Sequence, residues 1–488
     1  MIKTHILGNG IIPFKPVFLL TDIAVYLALI LFFCSFFYAL KRKTFRIAVK
    51  HIAGRGSACA SFIILLFYVF VGITDSVHFR LRVSEEMPQA ATASPDAAWE
   101  SEVLSLLDYG MTPLRTQTEK SYSAPLAMKA FTEETLEDKS GKKKRVYPRL
   151  RYGGSHLESQ GEHFYDILRT ALRGLFAGIA VTLPLLLVFT FGLSRAYHDR
   201  FWLAWKRFFY EAYPIAWRAI FSTVGMLILL LFVIIPLSRD YHFLGTDKVG
   251  QDVLYLSLKA IRTGLVIGSL TTLMMLPFAI FFGIGSGYFK GWVDDLISYI
   301  YTTLNSVPGV LLIAAAVLIL DTYMDSHLDD FTSIAERADL RLFFLCLILG
   351  GTGWIGLCRL LRGETLKISE LEYIQSAVAL GTRGGRIILR HIVPNVMHIV
   401  LIVTALEFSG LVLAEAVLSY VGIGVDPAMI SWGNMINSAR LEMAREPVVW
   451  WSLFAALIMM FGLVLSANLF SDALRDALDP RLKGRGIS

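Results

Sequence analysis

The sequence predicts an all-α membrane protein that crosses the bilayer about nine times. Of its 488 residues, 55% are hydrophobic and only 18% are charged, and the mean hydropathy is +0.57. These values lie well outside the range of ordinary soluble domains. Apolar runs near twenty residues, each long enough to span a bilayer as a helix, lie at residues 17–40, 58–75, 171–194, 217–237, 262–288, 296–320, 341–361, 396–420 and 449–469.

The first run is predicted to remain as a helix in the mature protein. It is too long for the apolar part of a signal peptide, and no small-residue cleavage site follows it. Its carboxylate, Asp22, lies near one end, where we expect water or lipid headgroups to reach it. Together with the runs at 58–75 and 171–194, it belongs to a predicted N-terminal extension, residues 1–217.

A polar insert, residues 76–163, separates the second and third runs. It has few long apolar stretches, a small-residue run at 91–98 and a basic cluster at 142–145. Because low hydrophobicity disfavours a packed core, the insert is either a small folded module or a partly disordered loop. Its function is either to dock an external partner or only to form a solvated loop.

The remaining six runs form a predicted core, residues 218–488. Within it, Ala279, Gly283, Gly287 and Gly291 recur at every fourth residue. Small residues at this spacing let a second helix approach closely in lipid. We therefore expect this stripe to be a helix-packing surface.

Lysine and arginine predict the orientation of the chain. The segments 41–57, 195–218, 358–396 and the tail after residue 470 carry four to six of them each, whereas 238–257, 321–341 and 421–448 carry two each. The basic group is expected on the cytoplasmic side. This puts Met1 and the insert outside, with Ser94 external, and it puts Ser369 and Ser488 inside. The net charge of +6 then needs no nucleic acid to explain it.

A polar segment at 369–395 interrupts the apolar pattern. Ser369 and Glu372 have the spacing of a capping box, and Gly381 offers a helix stop about three turns later. A helix over 370–381 is therefore predicted, with Ile374, Ala377 and Val378 on one face. Such a helix in a basic loop either presses into a groove on a soluble partner or simply connects two spans.

This segment resembles the EAA loop of ABC-importer permeases, which docks into the ATP-driven subunits. In the dipeptide and oligopeptide branch the loop reads E-Y-V-E-A-A-R-A-L-G and, about nine residues later, H-I-L-P-N. The second glutamate and the arginine of that pattern are replaced here by Gln375 and Val378. The matching residues are Glu372, Tyr373, Ala377, Ala379, Leu380, Gly381, His391, Ile392, Pro394 and Asn395.

Further blocks of the same family follow in the same order, at 245–254, 291–294, 307–308, 431–435 and 475–481. The resemblance implies a C-type permease subunit of a dipeptide or oligopeptide ABC importer, with a six-helix type I core. It also implies a bacterial inner-membrane location, a second permease subunit, two cytoplasmic ATPases and an external solute-binding protein. Glu372, Ala377, Gly381 and Pro394 would then form the ATPase-coupling loop.

Two carboxylates, Glu407 and Glu415, lie inside the run 396–420. A carboxylate at membrane depth is costly and therefore points to a function. Glu415 corresponds to a glutamate of related permeases, so we expect it to brace the bundle. Glu407 has no such counterpart, and both Glu407 and Glu415 are candidates for the translocation pathway.

Missing motifs narrow the function further. No G-x-x-x-x-G-K-[ST] is present, so ATP and Mg²⁺ are expected on partner ATPases, and neither a hydrolase motif nor a metal or cofactor motif stands out. The four cysteines lie in or beside apolar runs, which suggests neither disulfides nor zinc. Two alternatives remain: an importer of the same architecture for nickel or another small solute, and a self-sufficient secondary transporter or channel. A secondary transporter of this kind would be expected to have a pair of broken helices, one in each half of the chain.

Overall fold

The computed structural model describes residues 14–41, 43–81, 102–137, 143–210, 213–327, 331 and 333–478. Among these residues, nine helical segments are long and apolar enough to cross a membrane, which confirms the predicted number. The extension forms α1 Leu20–Leu40, α2 Lys43–Ala53, α3 Gly56–Asp75, α4 Leu106–Gly110, α5 Thr112–Thr116, α6 His163–Ala196 and α7 Phe201–Phe209. The core forms α8 Trp217–Asp240, α9 Val253–Phe289, α10 Gly291–Ser306, α11 Gly309–Ser326, α12 Ile334–Gly353, α13 Ile355–Ser369, α14 Glu372–Ala379, α15 Gly384–Ile387, α16 Val393–Val421, α17 Trp432–Met443 and α18 Trp451–Leu478.

The predicted span 296–320 is wrong in its boundaries, because a break divides it. Helix α10 ends at Ser306, and α11 begins at Gly309. Pro308 has no N–H to donate and disfavours helical geometry in the residue before it. Val307 is accordingly extended, with φ −90° and ψ 130°. Only α11 among these two helices is long and apolar enough to count as a span.

Helix α9 is 37 residues long and packs against α12, α13 and α16. A Cβ atom at Gly283 would lie 2.8 Å from the carbonyl oxygen of Cys358, and one at Gly287 would lie 2.7 Å from Thr365 Cβ. The predicted packing surface is therefore confirmed at these glycines, which let α13 approach. Gly291 differs: it has φ +53° with nothing near it, and it serves the turn into α10.

The described part of the insert is a folded module rather than a loop. Strands β1 Phe14–Val17, β2 His78–Leu81 and β3 Leu104–Ser105 form an antiparallel sheet, and β4 Glu134–Glu137 pairs with β5 Lys143–Val146. The small-residue run at 91–98 and Lys142 lie outside the described residues. Helix α4 begins with a capping box, in which Ser105 and Asp108 exchange hydrogen bonds.

Hydrogen bonds attach this module to the core loop between α8 and α9. The backbone N–H of Glu119 donates to the carbonyl oxygen of Gly250 at 2.9 Å, and that of Ser123 donates to Thr246 Oγ1 at 2.7 Å. On the core side, Trp451 Nε1 donates to the Thr246 carbonyl oxygen at 2.9 Å. The loop is thus held between the insert and the start of α18.

A buried charged triad strengthens the same junction. His242 Nδ1 lies 2.9 Å from Asp252, and its Nε2 lies 3.5 Å from Glu119. Burial opposes charge on His242, but the two carboxylates outweigh it and raise the pKa of His242 to about 9. Burial likewise opposes charge on Glu119, but the nearby His242 and hydrogen bonds from the backbone N–H groups of 151–153 lower its pKa to about 2. Both groups are therefore charged at neutral pH.

A second buried cluster joins α1 to the core. Arg262 Nη2 donates to Asp22 at 2.6 Å and lies 3.4 Å from Asp339. Asp22 also lies 2.7 Å from His78 Nδ1, while Thr21 donates its backbone N–H and its hydroxyl to Asp339. Asp22 has no exposed surface, so the expectation that water or headgroups reach it is wrong. Arg262 compensates its charge instead, because an unpaired buried ion is strongly unfavourable.

Gly250→Ala is expected to detach the insert from the core loop. Gly250 has φ +78°, and an added Cβ would lie 1.9 Å from the carbonyl oxygen of Glu119, so the backbone must move apart. Limited proteolysis of the purified protein should then cut faster within residues 102–163. Gly110→Ala is the matched control, since nothing lies within 4 Å of its Cβ position. Equal cleavage rates for the two variants would contradict this attachment.

The loops predicted on opposite sides of the membrane lie at opposite ends of the molecule. The insert contacts the α8–α9 loop, whereas Arg55 pairs with Asp476 at 2.6 Å, and Lys290 pairs with Glu370 at 2.5 Å. Which end faces the cytoplasm stays a prediction. Ser94 lies outside the described residues and Ser369 is buried, so two exposed positions serve the test better.

Ser155→Cys and Tyr210→Cys should differ in labelling by a membrane-impermeant thiol reagent on intact cells. Ser155 belongs to the insert and Tyr210 follows α7 in a basic segment, and both are exposed. In a background with Cys34→Ser, which removes the exposed native thiol, we expect labelling at position 155 only. Labelling at position 210 without labelling at 155 would invert the topology.

Candidate functional site

The segment between α13 and α16 folds as a compact succession of short helices. After α13 ends at Ser369, α14 spans Glu372–Ala379, and α15 spans Gly384–Ile387. A π-helical turn, Ile388–Ile392, then leads into α16. The helix predicted over 370–381 is therefore present but shorter than expected.

The predicted capping box does not form. Ser369 is still part of α13, and its hydroxyl donates to the Leu366 carbonyl oxygen at 2.7 Å. The residue before α14 is Leu371, which provides no side-chain cap. Gln375 instead donates to the Ser369 carbonyl oxygen at 2.9 Å, which satisfies one of the free acceptors at the end of α13. Glu372 lies in the first turn of α14, where the helix dipole favours a negative charge.

Gly381 ends α14, as predicted. It adopts φ +76°, a left-handed conformation that costs other residues roughly 1–2 kcal/mol. Its N–H donates to Val378 at 2.9 Å, and the N–H of Thr382 donates to Ala377 at 3.0 Å. Nothing in this chain lies within 4 Å of a Cβ atom built at Gly381, so this side of the turn is open.

Helix α14 buries Ile374 and leaves several large apolar side chains exposed. Ile374 is only 1% exposed and packs in a cluster with Ile368, Ile387 and Ile392, with Ala377 at its edge. Four large side chains in and beside α14 are exposed, among which Leu380 is 85% exposed: Leu371, Tyr373, Val378 and Leu380. Several large apolar side chains left exposed on one short segment are typical of a partner interface.

Polar contacts fix α14 to the neighbouring helices. The side-chain amide of Asn395 donates to Tyr373 Oη at 3.0 Å and to the His391 carbonyl oxygen at 2.9 Å, and the rings of Tyr373 and His391 lie 6.0 Å apart. Pro394 occupies the first turn of α16, where its missing N–H costs nothing. Lys290 links Glu370 to the end of α9. The family motif contains Tyr373, His391 and Asn395, but the sequence alone did not predict that they form this contact.

The structure separates the two carboxylates of α16 from this loop and from one another. Glu415 is 2% exposed and accepts a hydrogen bond from Ser419 at 2.7 Å, and a Cβ at Gly433 of α17 would lie 2.8 Å from its Oε1. It therefore lies between α16 and α17. Glu407 is partly exposed and forms no hydrogen bond or ion pair with the described residues. Among those residues, no group of His, Cys, Asp and Glu side chains has the arrangement of a metal site.

Comparison with known proteins gives consistent matches. Residues 279–484 match the family described as binding-protein-dependent transport system inner membrane component. The chain is 35% identical to the oligopeptide transport system permease protein OppC of Mycobacterium tuberculosis over 248 residues, which is 50% of this chain and 79% of that protein. It is 33% identical to the glutathione transport system permease protein GsiD of Pectobacterium atrosepticum, over 50% of this chain and 73% of that protein. It is 31% identical to the dipeptide transport system permease protein DppC of Alkalihalophilus pseudofirmus, with the same two coverages.

Proposed function

Because this chain belongs to the family of binding-protein-dependent transport permeases, it is a multi-pass inner-membrane permease subunit of an ABC importer, and we propose that it carries peptides. The support for the solute class is that the similar proteins are named for oligopeptide, dipeptide and glutathione transport. In this proposal the chain forms one half of the translocation pathway. A second permease subunit forms the other half, and an external solute-binding protein delivers the peptide.

The observation that carries the coupling role is helix α14, which is anchored through Ile374 and exposes several large apolar side chains. Burying Leu380, which is 85% exposed, in a partner groove would contribute about 1.5–3 kcal/mol, and Leu371 and Val378, which are about half exposed, would contribute roughly half as much each. Shifting a two-state transporter from 1:99 to 99:1 takes about 5.5 kcal/mol of differential binding. A groove that binds α14 in only one state of the ATPase would therefore supply free energy of the same order as this shift requires.

The contacts of α14 indicate how that movement would spread. Its inner face packs through Ile374, its Tyr373 is bonded to the start of α16, and Lys290 ties Glu370 to the end of α9. A force on α14 thus reaches α9, α13 and α16 together. ATP and Mg²⁺ bind the two cytoplasmic ATPases in this proposal, since the chain lacks a P-loop. The subunit itself performs no catalysis.

Reconstitution of the full complex in liposomes tests the proposal. We expect uptake of labelled dipeptides and oligopeptides that requires the binding protein and ATP, together with ATP hydrolysis stimulated by peptide. Uptake of nickel but not of peptides would assign the same architecture to another solute. Uptake by this subunit without the ATPases would instead favour a secondary transporter.

Glu407→Gln tests the proposed pathway role of this carboxylate. If Glu407 faces the solute, its charge attracts cationic groups strongly in a medium of low dielectric constant. We then expect a normal yield of the complex but slower uptake, most of all for cationic peptides. Glu415→Leu serves as the contrast, because loss of its bond to Ser419 should lower the yield of the complex. Unchanged Glu407→Gln uptake across peptides of different charge would remove Glu407 from the pathway.

A further inference from the structure

A cavity with charged residues in its lining opens where the insert meets the core. It has a volume of about 350 Å³ and lies between Tyr122 of the insert, Lys248 of the α8–α9 loop, and α17 with the residues that follow it. Arg440, Glu442 and Arg445 contribute its charged lining from the core. The size falls at the lower end of the range for small-molecule sites.

The outer lining of this cavity is cationic. Lys248, Arg440 and Arg445 are exposed, and none of them forms an ion pair with a described residue. The guanidinium of Arg445 lies over the ring of Tyr122 at 5.1 Å, and that of Arg440 lies over Tyr420 at 5.3 Å. Stacking of this kind orients a guanidinium and leaves its N–H edge free for a carboxylate.

The inner wall carries the opposite charge. Glu442 is 3% exposed, and its Oε1 accepts a hydrogen bond from Tyr122 Oη at 3.3 Å. Its Oε2 has no hydrogen-bond partner among the described residues. Leaving a buried acceptor without a donor is unfavourable, and burial raises the pKa of Glu442. A positively charged donor would supply the missing hydrogen bond to Oε2 and would also stabilise the charged form of Glu442.

We propose that this cavity binds a short zwitterionic peptide outside the translocation pathway, with its ammonium group on Glu442 and its carboxylate on Arg440 and Arg445. The inference rests on the proposed peptide solute. Peptide import by itself does not predict this binding site, because one wall of the cavity is formed by Tyr122, a residue of the insert. A flat acidic surface on a partner protein would meet the exposed cations but would leave the buried Oε2 without a donor.

The cavity also touches the parts that hold the insert in place. The carbonyl oxygen of Glu442 accepts from Val449 N–H at 3.3 Å, just before α18. Phe131 of the insert packs against Trp451 at 4.9 Å between ring centroids. A bound peptide therefore contacts the insert and the α17–α18 connection at once, and it should slow proteolysis of the insert.

Direct binding to the purified complex, without the solute-binding protein, tests the proposal. The probes are the dipeptide Ala-Ala, its N-acetyl form and its C-terminal amide, measured by calorimetry in nanodiscs. We expect each blocked form to bind about tenfold more weakly than the free dipeptide. Glu442→Gln should remove the preference for a free amino group, and Arg445→Gln should weaken the preference for a free carboxylate. Lys120→Gln, an exposed position on the insert, should change neither.

The outcomes separate this inference from the proposed function. A complex that imports peptides with its binding protein but binds no dipeptide alone would overturn the cavity assignment and leave the function intact. The same holds if Ala-Ala binds equally well to the Glu442→Gln and Arg445→Gln variants. If these variants instead weaken docking of the binding protein and leave dipeptide affinity unchanged, the surface recognises a protein and the proposal is wrong. Failure of peptide import in the unaltered complex would overturn the function as well.

Discussion

Gly381→Asp is expected to abolish peptide uptake and peptide-stimulated ATP hydrolysis, while the protein still inserts and assembles. Gly381 has φ +76° at the end of α14, a conformation that strains a residue with a Cβ atom, although aspartate and asparagine tolerate it better than alanine does. The carboxylate would also stand on the open side of the turn, where the proposed ATPase approaches. Reconstituted complexes, assayed for both activities, check this result.

Substitutions at two glycines separate backbone strain at Gly381 from interference with the approaching partner. Gly381 and Gly385 both have open space for a Cβ atom, but only Gly381 has a positive φ. Gly381→Ala should therefore weaken coupling, whereas Gly385→Ala should not. Gly381→Asn tolerates the left-handed conformation better, so any remaining loss in that variant measures the approach of the partner. Normal stimulated ATP hydrolysis in Gly381→Asp would mean that the loop only connects two spans.

Arg262→Leu is expected to produce the largest loss of stability. It leaves Asp22 and Asp339 buried without their cation, and breaking a buried pair in this way costs about 3–5 kcal/mol. Thermal unfolding of the purified protein should show a clear drop in Tm. Adding Asp22→Asn and Asp339→Asn should recover part of it, since the uncompensated charges are then gone.

Arg337→Leu is the matched control for burial. Arg337 pairs with Asp325 at the same N–O distance of 2.6 Å, but both side chains are considerably exposed. Exposed ion pairs contribute about 0–1 kcal/mol, so we expect little change in Tm. If both variants lose the same stability, or if neither does, the buried cluster does not fasten α1 to the core.

The sequence predicted the membrane architecture well because hydrophobic length is a local property. The nine spans follow from the apolar runs, and the stop at Gly381 follows from the chemistry of one residue. The break at Pro308 was open to prediction, but the apolar run continues across it and concealed the division of α10 from α11. The capping box failed because α13 extends through Ser369, which the spacing alone does not reveal.

Contacts between distant parts of the chain could not be predicted in this way. Asp22 and Arg262 are 240 residues apart, and nothing local to either one indicates the other. The cavity beside Glu442 likewise exists only because Tyr122 of the insert lies against α17. The roles of Glu372, Ala377, Gly381 and Pro394 in coupling, and of Glu407 and Glu415 in the pathway, stay predictions. Glu415 contacts Ser419 and lies close to Gly433, which agrees with a bracing role.

Helix α9 connects the two ends of the subunit through one continuous helix. Its 37 residues correspond to about 55 Å of continuous helix. One end of α9 lies beside the loop that holds the insert. The other end lies at Lys290, which forms an ion pair with Glu370 next to α14. A tilt of about 10° in such a rod displaces one tip by about 10 Å relative to the other. A displacement at the end of α9 beside the insert would therefore reach the end at Lys290 through one continuous helical backbone, in which Pro277 marks the position where bending is easiest.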